Sequence, residues 1–307
     1  MLPFEGVRVV ELGSGTALAF CGKLFSDVGA AVVKIEAPGG DTERHSPPLV
    51  QISDGRLESA YFAWLNTNKQ SVTADLQSEQ GMERVRRIIA GSDVVLDARA
   101  LCLLRNQSAD VYDGTRNPRL IEILFTWFGE TGPYSGYAST DAVCRALAGV
   151  IHSAGPVEGP PLIPHDSQSG VVTGLAAFTT AVAGLLGREH GGRRYALSVH
   201  EVLIHLVEID IGMELEGRHR PRSGINRFGG QYPASVYPTK DGWIGISAVT
   251  AAQWRGLCKV LEKPELARDA RYLEGAARLD RADEIDAILT PILATRSTAE
   301  WFKLCFA

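Results

Sequence analysis

The first 36 residues alternate between apolar runs and segments that favour a turn or a helix. Residues 7–12 and 31–36 are short runs rich in valine and isoleucine, which is typical of buried strands. Residues 13–15, which read Gly-Ser-Gly, predict a turn, and residues 17–28 predict a short helix. A strand, a helix and a strand in this order form a βαβ unit with parallel strands. The start of the chain therefore predicts an α/β fold in which helices cover the faces of a parallel sheet.

The same alternation continues to about residue 130. An amphipathic helix is predicted over residues 78–91, and further strands are predicted over residues 94–96 and 120–125. Strands that alternate with helices in this way form a doubly wound sheet. We therefore predict a Rossmann-like, doubly wound parallel sheet for the N-terminal part of the chain.

The chain of 307 residues is long enough for two domains. We predict a large Rossmann-like domain over residues 1–217, a linker rich in Arg and Gly over residues 218–235, and a smaller α+β domain over residues 236–307. The smaller domain begins with a predicted β-hairpin and continues with helices. Its last helix would start at a Ser-Thr-Ala-Glu capping box, and the chain stops seven residues after Glu300. We therefore expect this domain to be truncated at its C-terminus.

The composition argues against several classes of protein. The net charge of −5 offers no basic surface to nucleic acid. The five cysteines contain no C-x-x-C pair, which argues against a metal site or a disulfide framework and favours a reducing, cytoplasmic compartment. The N-terminus lacks the basic and apolar regions of a secretory signal. Residues 171–187 are the one candidate membrane span, but their three Gly and three Thr favour a buried core helix, so no membrane partner is expected.

Asp166 stands just before this apolar segment. Pro164 ends whatever structure precedes it, and an aspartate at the start of a helix accepts the first free backbone N–H groups. The positive end of the helix dipole also keeps such a carboxylate ionised. These conditions suit a helix cap and also a carboxylate nucleophile, and the local sequence favours the cap. The neighbouring His165 is a candidate general base, although an exposed loop histidine is the simpler interpretation.

Two further segments have features of nucleotide sites. Gly13 and Gly15 follow a strand as in a dinucleotide-binding turn, but the third glycine of G-x-G-x-x-G falls at Leu18. A tight strand-to-helix turn is therefore favoured, and NAD is not expected. The aromatic run at residues 61–65, followed by Asn-Thr-Asn-Lys, is able to seat an adenine and a phosphate, with Lys69 as a point charge. An exposed loop beside core aromatic residues is slightly favoured over that interpretation.

Several short motifs follow one another along the chain in a specific order and spacing. They are Gly-x-Arg-Val-x-Glu-Leu at residues 6–12, Leu-Phe-Ser-Asp-x-Gly-Ala-x-Val-x-Lys-x-Glu-x-Pro at 24–38, Gly-Asp-Thr-x-Arg at 40–44, Asn-Thr-Asn-Lys-Gln-Ser at 66–71 and Phe-Gly-Glu-Thr-Gly-Pro-Tyr at 128–134. Together they resemble the family III CoA-transferases, or CaiB/BaiF family. That family includes formyl-CoA transferase, carnitine CoA-transferase and alpha-methylacyl-CoA racemase. The resemblance extends over essentially the whole chain.

The resemblance implies a mechanism and a set of site residues. It implies that Asp166 is a nucleophile that attacks an acyl-CoA thioester and then carries CoA as an aspartyl thioester, which an acceptor carboxylic acid resolves. It implies that Gly229, Gly230 and Gln231 form a mobile glycine loop over this intermediate. It implies an interlocked homodimer. The positions that match CoA contacts are Gly15, Thr16, Ala37, Leu65, Asn66, Asn68, Lys69, Arg99, Thr126 and Trp127.

The sequence also departs from the family pattern. Racemases of the family carry a histidine before the position of Asp141 and a glutamate after the hairpin, and these are Thr140 and Thr250 here. Neither threonine takes up a proton near neutral pH, so a transferase is expected and an acyl-CoA racemase or isomerase is the alternative. A second alternative is an inactive CoA-binding subunit, which the shortened segment at residues 97–100 and the expected truncation at the C-terminus would suit. Trp127, which replaces a glycine near the expected CoA path, is a further departure.

Overall fold

A parallel β-sheet forms the centre of the first part of the chain. The structure is a computed structural model, and it describes residues 2–101, 117–164, 167–219, 222, 224–227 and 230–306. The elements of the first part, in chain order, are β1 (Arg8–Leu12), α1 (Thr16–Asp27), β2 (Ala31–Glu36), β3 (Leu49–Gln51), β4 (Leu57–Ser59), α2 (Ala60–Leu65), β5 (Gln70–Thr73), α3 (Glu79–Ala90), β6 (Val94–Asp97), β7 (Ile121–Thr126), α4 (Asp141–Leu147), α5 (Gln168–Leu186), β8 (Arg193–Ser198), α6 (Val199–Ile204) and α7 (Glu208–Leu215). Those of the second part are β9 (Ala234–Pro238), β10 (Trp243–Ser247), α8 (Ala251–Val260), α9 (Gly275–Leu279), α10 (Ala282–Leu293) and α11 (Thr298–Phe306).

The sheet has six strands in the order β5-β2-β1-β6-β7-β8, and every neighbouring pair is parallel. The chain moves outward from β1 through β2 to β5, and then returns to β6 on the other side of β1. This reversal between β1 and β6 is the point where doubly wound folds bind their ligands, beyond the carboxyl ends of the strands. The predicted doubly wound α/β fold is confirmed.

The central strands are buried on both faces, and their side chains divide between two helical layers. Val9 of β1 packs on one face in a cluster that includes α1 and α5 residues. Its neighbours Val10 and Leu12 pack on the other face against α3. This division follows from the alternation of side chains along a strand.

Helix α5 crosses α1 at very short range because small residues line the contact. A Cβ atom on Gly174 would lie 2.7 Å from the carbonyl oxygen of Ala17, and one on Gly170 would lie 2.6 Å from Cβ of Thr16. Within the described parts of the chain, α5 is the helix that is long and apolar enough to cross a membrane. Ala177 and Ala181 of α5 are nevertheless fully buried in the core of the sheet layer.

The structure differs from the sequence-based prediction at several local elements. Residues 49–59 form the antiparallel hairpin of β3 and β4, and β5 forms an edge of the main sheet; none of these strands was predicted. In the second part, where helices were predicted to follow the hairpin, the chain between α8 and α9 forms turns and a 3-10 helix at Ala270–Tyr272 instead of an α-helix. The side chain of Asp269 accepts a hydrogen bond from the Arg271 N–H (2.9 Å), which begins this separate turn.

The described chain divides into two compact units, Met1–His152 with Ile163–Arg220, and Ser153–Leu162 with Pro221–Ala307. The first therefore ends close to the predicted bound at residue 217, whereas the short segment before Ile163 groups with the second.

The second unit is organised around Arg278, which is fully buried. Its guanidinium donates to five backbone carbonyls and lies over the ring of Trp254. That the large domain binds CoA and carries the catalytic aspartate stays a prediction.

The packing of Gly22 on α1 yields a testable prediction. A Cβ atom at this position would lie 1.7 Å from Oε1 of the buried Glu11. We expect Gly22→Ala to lower the free energy of unfolding by about 2–4 kcal/mol, because the new methyl group displaces a buried, paired carboxylate. Urea unfolding measures this change.

Gly212→Ala is the matched control for Gly22→Ala, since Gly212 is also helical and a Cβ there meets nothing within 4 Å. We expect this variant to be more stable by about 0.5–1 kcal/mol, because alanine is the better helix former. Equal effects of the two substitutions would show that the contact with Glu11 is not the reason for glycine at residue 22.

Candidate active site

A cavity of about 1490 Å³ opens beyond the carboxyl ends of β1 and β6. Its wall includes the turn after β1, the loop after β2, and the start of α5. The predicted site residues that line it are Gly15, Thr16, Ala37, Arg99 and Trp127. The structure thus brings together half of the ten predicted CoA contacts at the switch point of the sheet.

The other five predicted CoA contacts do not line this cavity. Leu65 is fully buried in the core, and Asn68 is exposed in a left-handed turn with φ of 64°. The Thr126 hydroxyl donates to the carbonyl of Leu197 (3.0 Å) and accepts from the Gly129 N–H (2.9 Å), so it closes the turn after β7. Asn66 and Lys69 contact each other, since Nζ of Lys69 donates to Oδ1 of Asn66.

Asp166, His165 and Gly229 lie outside the described residues. Gly230 and Gln231 belong to the second unit, where both are exposed. The roles of these residues stay predictions.

The turn after β1, which lines the cavity, contains two glycines with positive φ. Gly13 and Gly15 have φ values of 104° and 110°, a region that favours glycine. A Cβ atom on Gly13 would lie 3.0 Å from the backbone nitrogen of Arg99. The turn after β1 therefore approaches the backbone after β6 closely at Gly13, where glycine is required by conformation and by space, whereas at Gly15 only the conformation favours glycine.

Helix α5, which is 19 residues long, begins at the cavity wall. Ser167, Ser169 and Gly170 line the cavity at this end. Ser167 has φ of 75°, a sparsely populated conformation for a residue other than glycine. The free N–H groups and the dipole of a helix start favour a negatively charged group nearby.

Arg99 supplies a positive charge at the cavity, and its orientation is set by Asp97. Its Nε and Nη2 atoms donate to the Asp97 carboxylate at 3.0 and 2.7 Å, and its backbone N–H donates to the same group at 3.0 Å. The indole N–H of Trp127 donates to the carbonyl of Leu101 (3.1 Å). These contacts hold both side chains against the cavity wall.

Lys69 is enclosed rather than presented to the cavity. Its side chain is 2% exposed, and its Nζ lies 2.7 Å from Oε1 of Glu11. Nζ also donates to the carbonyl of Ala19 (2.7 Å) and to Oδ1 of Asn66 (3.1 Å). Burial lowers the pKa of Lys69, and the Glu11 carboxylate opposes that effect. All three donors of the ammonium have protein partners, so these contacts favour a structural role over the predicted phosphate contact.

The same carboxylate connects Lys69 to a second lysine. Nζ of Lys34 lies 3.6 Å from Oε2 of Glu11 and 2.7 Å from Oδ2 of Asp41, which lines the cavity. Burial acts to lower the pKa of Lys34, but the two carboxylates outweigh it and raise that pKa above its usual value. We call Glu11, Lys34, Asp41 and Lys69 the buried ion cluster. Local motifs did not predict it, although charged residues inside strands that are buried on both faces were a signal.

Glu36, at the end of β2, has its oxygens occupied by the protein. Arg44 donates to both oxygens (2.8 and 2.7 Å), the Ser71 hydroxyl donates at 2.6 Å, and the Asp41 N–H donates at 2.9 Å. The hydrogen bonds from Arg44 lead the causes that lower the pKa of Glu36 to about 2. A dinucleotide site would need this residue to accept a ribose hydroxyl. Its engagement, and the burial of Leu18 in the core, support the tight-turn interpretation.

Glu43 lines the cavity close to the buried ion cluster. Burial, followed by the nearby Asp41 carboxylate, raises the pKa of Glu43 from 4.5 to about 7, against the opposing effect of Lys34 and Lys69.

No group of three or more His, Cys, Asp or Glu side chains suited to a metal ion occurs among the residues that the structure describes.

The raised pKa of Glu43 predicts a pH-dependent stability. Between about pH 4.5 and 7 the folded protein holds a proton that the unfolded chain releases, so this group costs stability as the pH rises through that window. We expect Glu43→Gln to raise the free energy of unfolding by about 1–3 kcal/mol at pH 8 and to change it little at pH 5, as measured by urea unfolding. Glu5→Gln, at an exposed position, is the control. A gain that is the same at both pH values would contradict the prediction.

The whole chain is similar to proteins of known family. The family model described as CoA-transferase family III matches residues 4–307. Succinyl-CoA:glutarate CoA-transferase of Mus musculus is 31% identical over 310 residues, which cover 99% of this chain and 70% of that protein. Succinate–glutarate CoA-transferase of Agrobacterium fabrum is 30% identical over 309 residues, which cover 98% of this chain and 76% of that protein.

A solved structure gives the same result at the level of the fold. A CaiB/BaiF family protein from Brucella suis is similar with a TM-score of 0.84 and 27% sequence identity, over 99% of this chain and 82% of that chain. The family model, the relatives and this structure all agree with the resemblance that the sequence motifs indicated. The chain belongs to CoA-transferase family III and is a CoA-transferase.

Proposed function

We propose that this CoA-transferase moves CoA from an acyl-CoA thioester to a carboxylic acid through a covalent intermediate on Asp166. One observation supports the proposal most strongly. Ser167, the residue that follows Asp166, lines the cavity at the switch point of the sheet, where α5 begins. The start of a long helix favours an ionised carboxylate and offers N–H donors to a developing oxyanion.

The proposed reaction has four bond-making steps. The Asp166 carboxylate attacks the thioester carbonyl, the C–S bond breaks, and CoA leaves as a thiolate. The thiolate attacks the aspartyl carbonyl and displaces the acyl group as a carboxylate, which leaves an aspartyl-CoA thioester. The acceptor carboxylate attacks this thioester and releases the thiolate again. The thiolate then attacks the acceptor carbonyl, which forms the new acyl-CoA and restores the Asp166 carboxylate.

The CoA moiety would lie along the cavity wall formed by Gly15, Thr16, Ala37, Arg99 and Trp127. Glycine turns allow a close approach of a ligand to the backbone, and Arg99 is the basic side chain among the described residues of that wall. A glycine loop at residues 229–231 and an interlocked homodimer are further parts of this proposal, and both rest on the family resemblance. A cytoplasmic location is also proposed, and it rests on the pattern of cysteines.

The positions that distinguish racemases act here as helix caps. The Thr140 hydroxyl accepts from the Val143 N–H at the start of α4. The Thr250 hydroxyl accepts from the Gln253 N–H, which together with the Gln253 side chain forms a capping box for α8. Neither group is suited to proton transfer near neutral pH, which favours the transferase over the racemase.

The substrates are proposed from the relatives. Relatives at 30–31% identity carry names with glutarate as acceptor, and others act on malate or citramalate with succinyl-CoA. We propose succinyl-CoA as the donor and a dicarboxylic acid as the acceptor. Incubation with succinyl-CoA and a panel of mono- and dicarboxylic acids tests this, with the new thioesters separated by chromatography. Faster formation of monocarboxylic CoA thioesters would contradict the assignment.

Trapping of the intermediate tests the nucleophile. Incubation with succinyl-CoA and hydroxylamine should convert Asp166 to a hydroxamate that peptide mass spectrometry locates. We expect Asp166→Asn to abolish this adduct and to lower kcat by about 10³-fold or more, since the covalent route is removed. Asp27→Asn, which changes a carboxylate paired with Lys23 at the far end of α1, is the control and should retain the adduct.

The trapping experiment also separates the proposed enzyme from an inactive CoA-binding subunit. Binding of CoA without any adduct, with succinyl-CoA and with other acyl-CoA donors, would overturn the proposed mechanism. An adduct at a different carboxylate would overturn the assignment of Asp166.

A further inference from the structure

We propose that Asp141 and Arg145 are positioning residues that hold the chain on both sides of Asp166. This inference rests on the proposed function, because it assigns the pair to the placement of the nucleophile. Neither residue carries the chemistry itself. Both lie on α4, one helical turn apart, and form an ion pair with each other.

Arg145 secures the chain before the nucleophile. Its side chain is fully buried, which is rare for arginine outside an ion pair. Its Nη1 donates to the carbonyl oxygen of Pro164 at 3.0 Å, and its Nη2 pairs with Oδ2 of Asp141. An arginine fork is rigid and planar, so these two contacts fix the carbonyl of Pro164 relative to α4.

Asp141 secures the chain after the nucleophile. Its Oδ1 accepts a hydrogen bond from the Ser169 N–H at 3.1 Å. Ser169 is the second residue of α5, so Asp141 satisfies one of the N–H groups that every helix start leaves without an intrahelical partner. The capping group therefore comes from a different helix, and it determines where α5 begins relative to α4.

The two contacts together bracket a very short segment. Pro164 and Ser169 are five positions apart, and one ion pair binds them both. An ion pair that only stabilised α4 would not need hydrogen bonds to residues outside that helix, whereas this pair makes two. The ion pair also offers Ser169 a carboxylate acceptor whose charge is compensated by Arg145.

Positioning of this kind has a large effect on a covalent reaction. A misplacement of about 1 Å between reacting groups costs about 10²-fold in rate. Loss of the Ser169 contact is therefore expected to slow attack on the thioester while leaving CoA binding intact, because Asp141 is one of many residues that line the cavity.

The test compares Asp141→Asn and Asp141→Ala with the wild-type chain. Asparagine retains an acceptor oxygen for the Ser169 N–H, whereas alanine retains none. We expect the rate of hydroxamate formation at Asp166 with succinyl-CoA to fall about 10-fold in Asp141→Asn and about 100-fold in Asp141→Ala. The Kd for CoA should stay within about three-fold of wild type in both. Asp27→Asn again serves as control, since Asp27 also pairs with a basic residue four positions away in its helix.

Amide hydrogen exchange at Ser169 is measured on the same proteins. Faster exchange in the order wild type, Asp141→Asn, Asp141→Ala, together with the graded loss of rate at unchanged CoA affinity, supports the proposal. If Asp141→Ala does not fold, Asp141→Asn decides alone. Wild-type rates in a folded Asp141 variant would overturn the positioning role and leave the proposed function standing. Absence of the adduct in the wild-type chain itself would instead overturn the proposed function, and the positioning role with it.

Discussion

The buried carboxylate of Glu11 is the group on which the first unit depends. It lies at the centre of the sheet and contacts Lys34 and Lys69, and Asp41 completes the balance of charge by binding Lys34. A buried charge that loses its partner costs about 3–5 kcal/mol, so each member of the buried ion cluster requires the others. The cluster joins β1, β2, the loop after β2 and the segment before β5, and it fits only because α1 carries glycine at residue 22.

This constraint determines what the cavity can offer a ligand. Asp41, Glu36 and Arg99 all line the cavity, yet each is held by an oppositely charged partner in the protein. The charged wall is therefore already ordered before a substrate enters, which is the condition for preorganised binding. The other groups that the cavity offers to a substrate are the backbone of the glycine turns and the start of α5. Asp141 and Arg145 hold the chain there on either side of the proposed nucleophile.

Much of the architecture could be predicted because it follows from local periodicity. The apolar runs at β1, β2, β6 and β7 are distinct from the amphipathic pattern of α3, and short-range alternation is a property of the sequence itself. The edge strand β5 and the hairpin of β3 and β4 were missed because their side chains are largely exposed and carry no such pattern. The pairing of Lys69 with Glu11 could not be predicted, because a loop lysine beside aromatic residues gives no sign of a distant buried carboxylate.

The sequence by itself determined the family, the doubly wound fold and the segment that carries the proposed nucleophile, because these depend on motifs and on periodicity along the chain. Only the tertiary structure decided which charged residues meet. Glu11 and Lys69 are 58 positions apart, and Asp141 and Ser169 are 28 apart, so their pairing depends on how helices and strands cross rather than on any local pattern. The N–H of Ser169 at the start of α5 is capped by Asp141, which belongs to α4. The residues of α5 alone do not predict this cap, because the capping group comes from another helix.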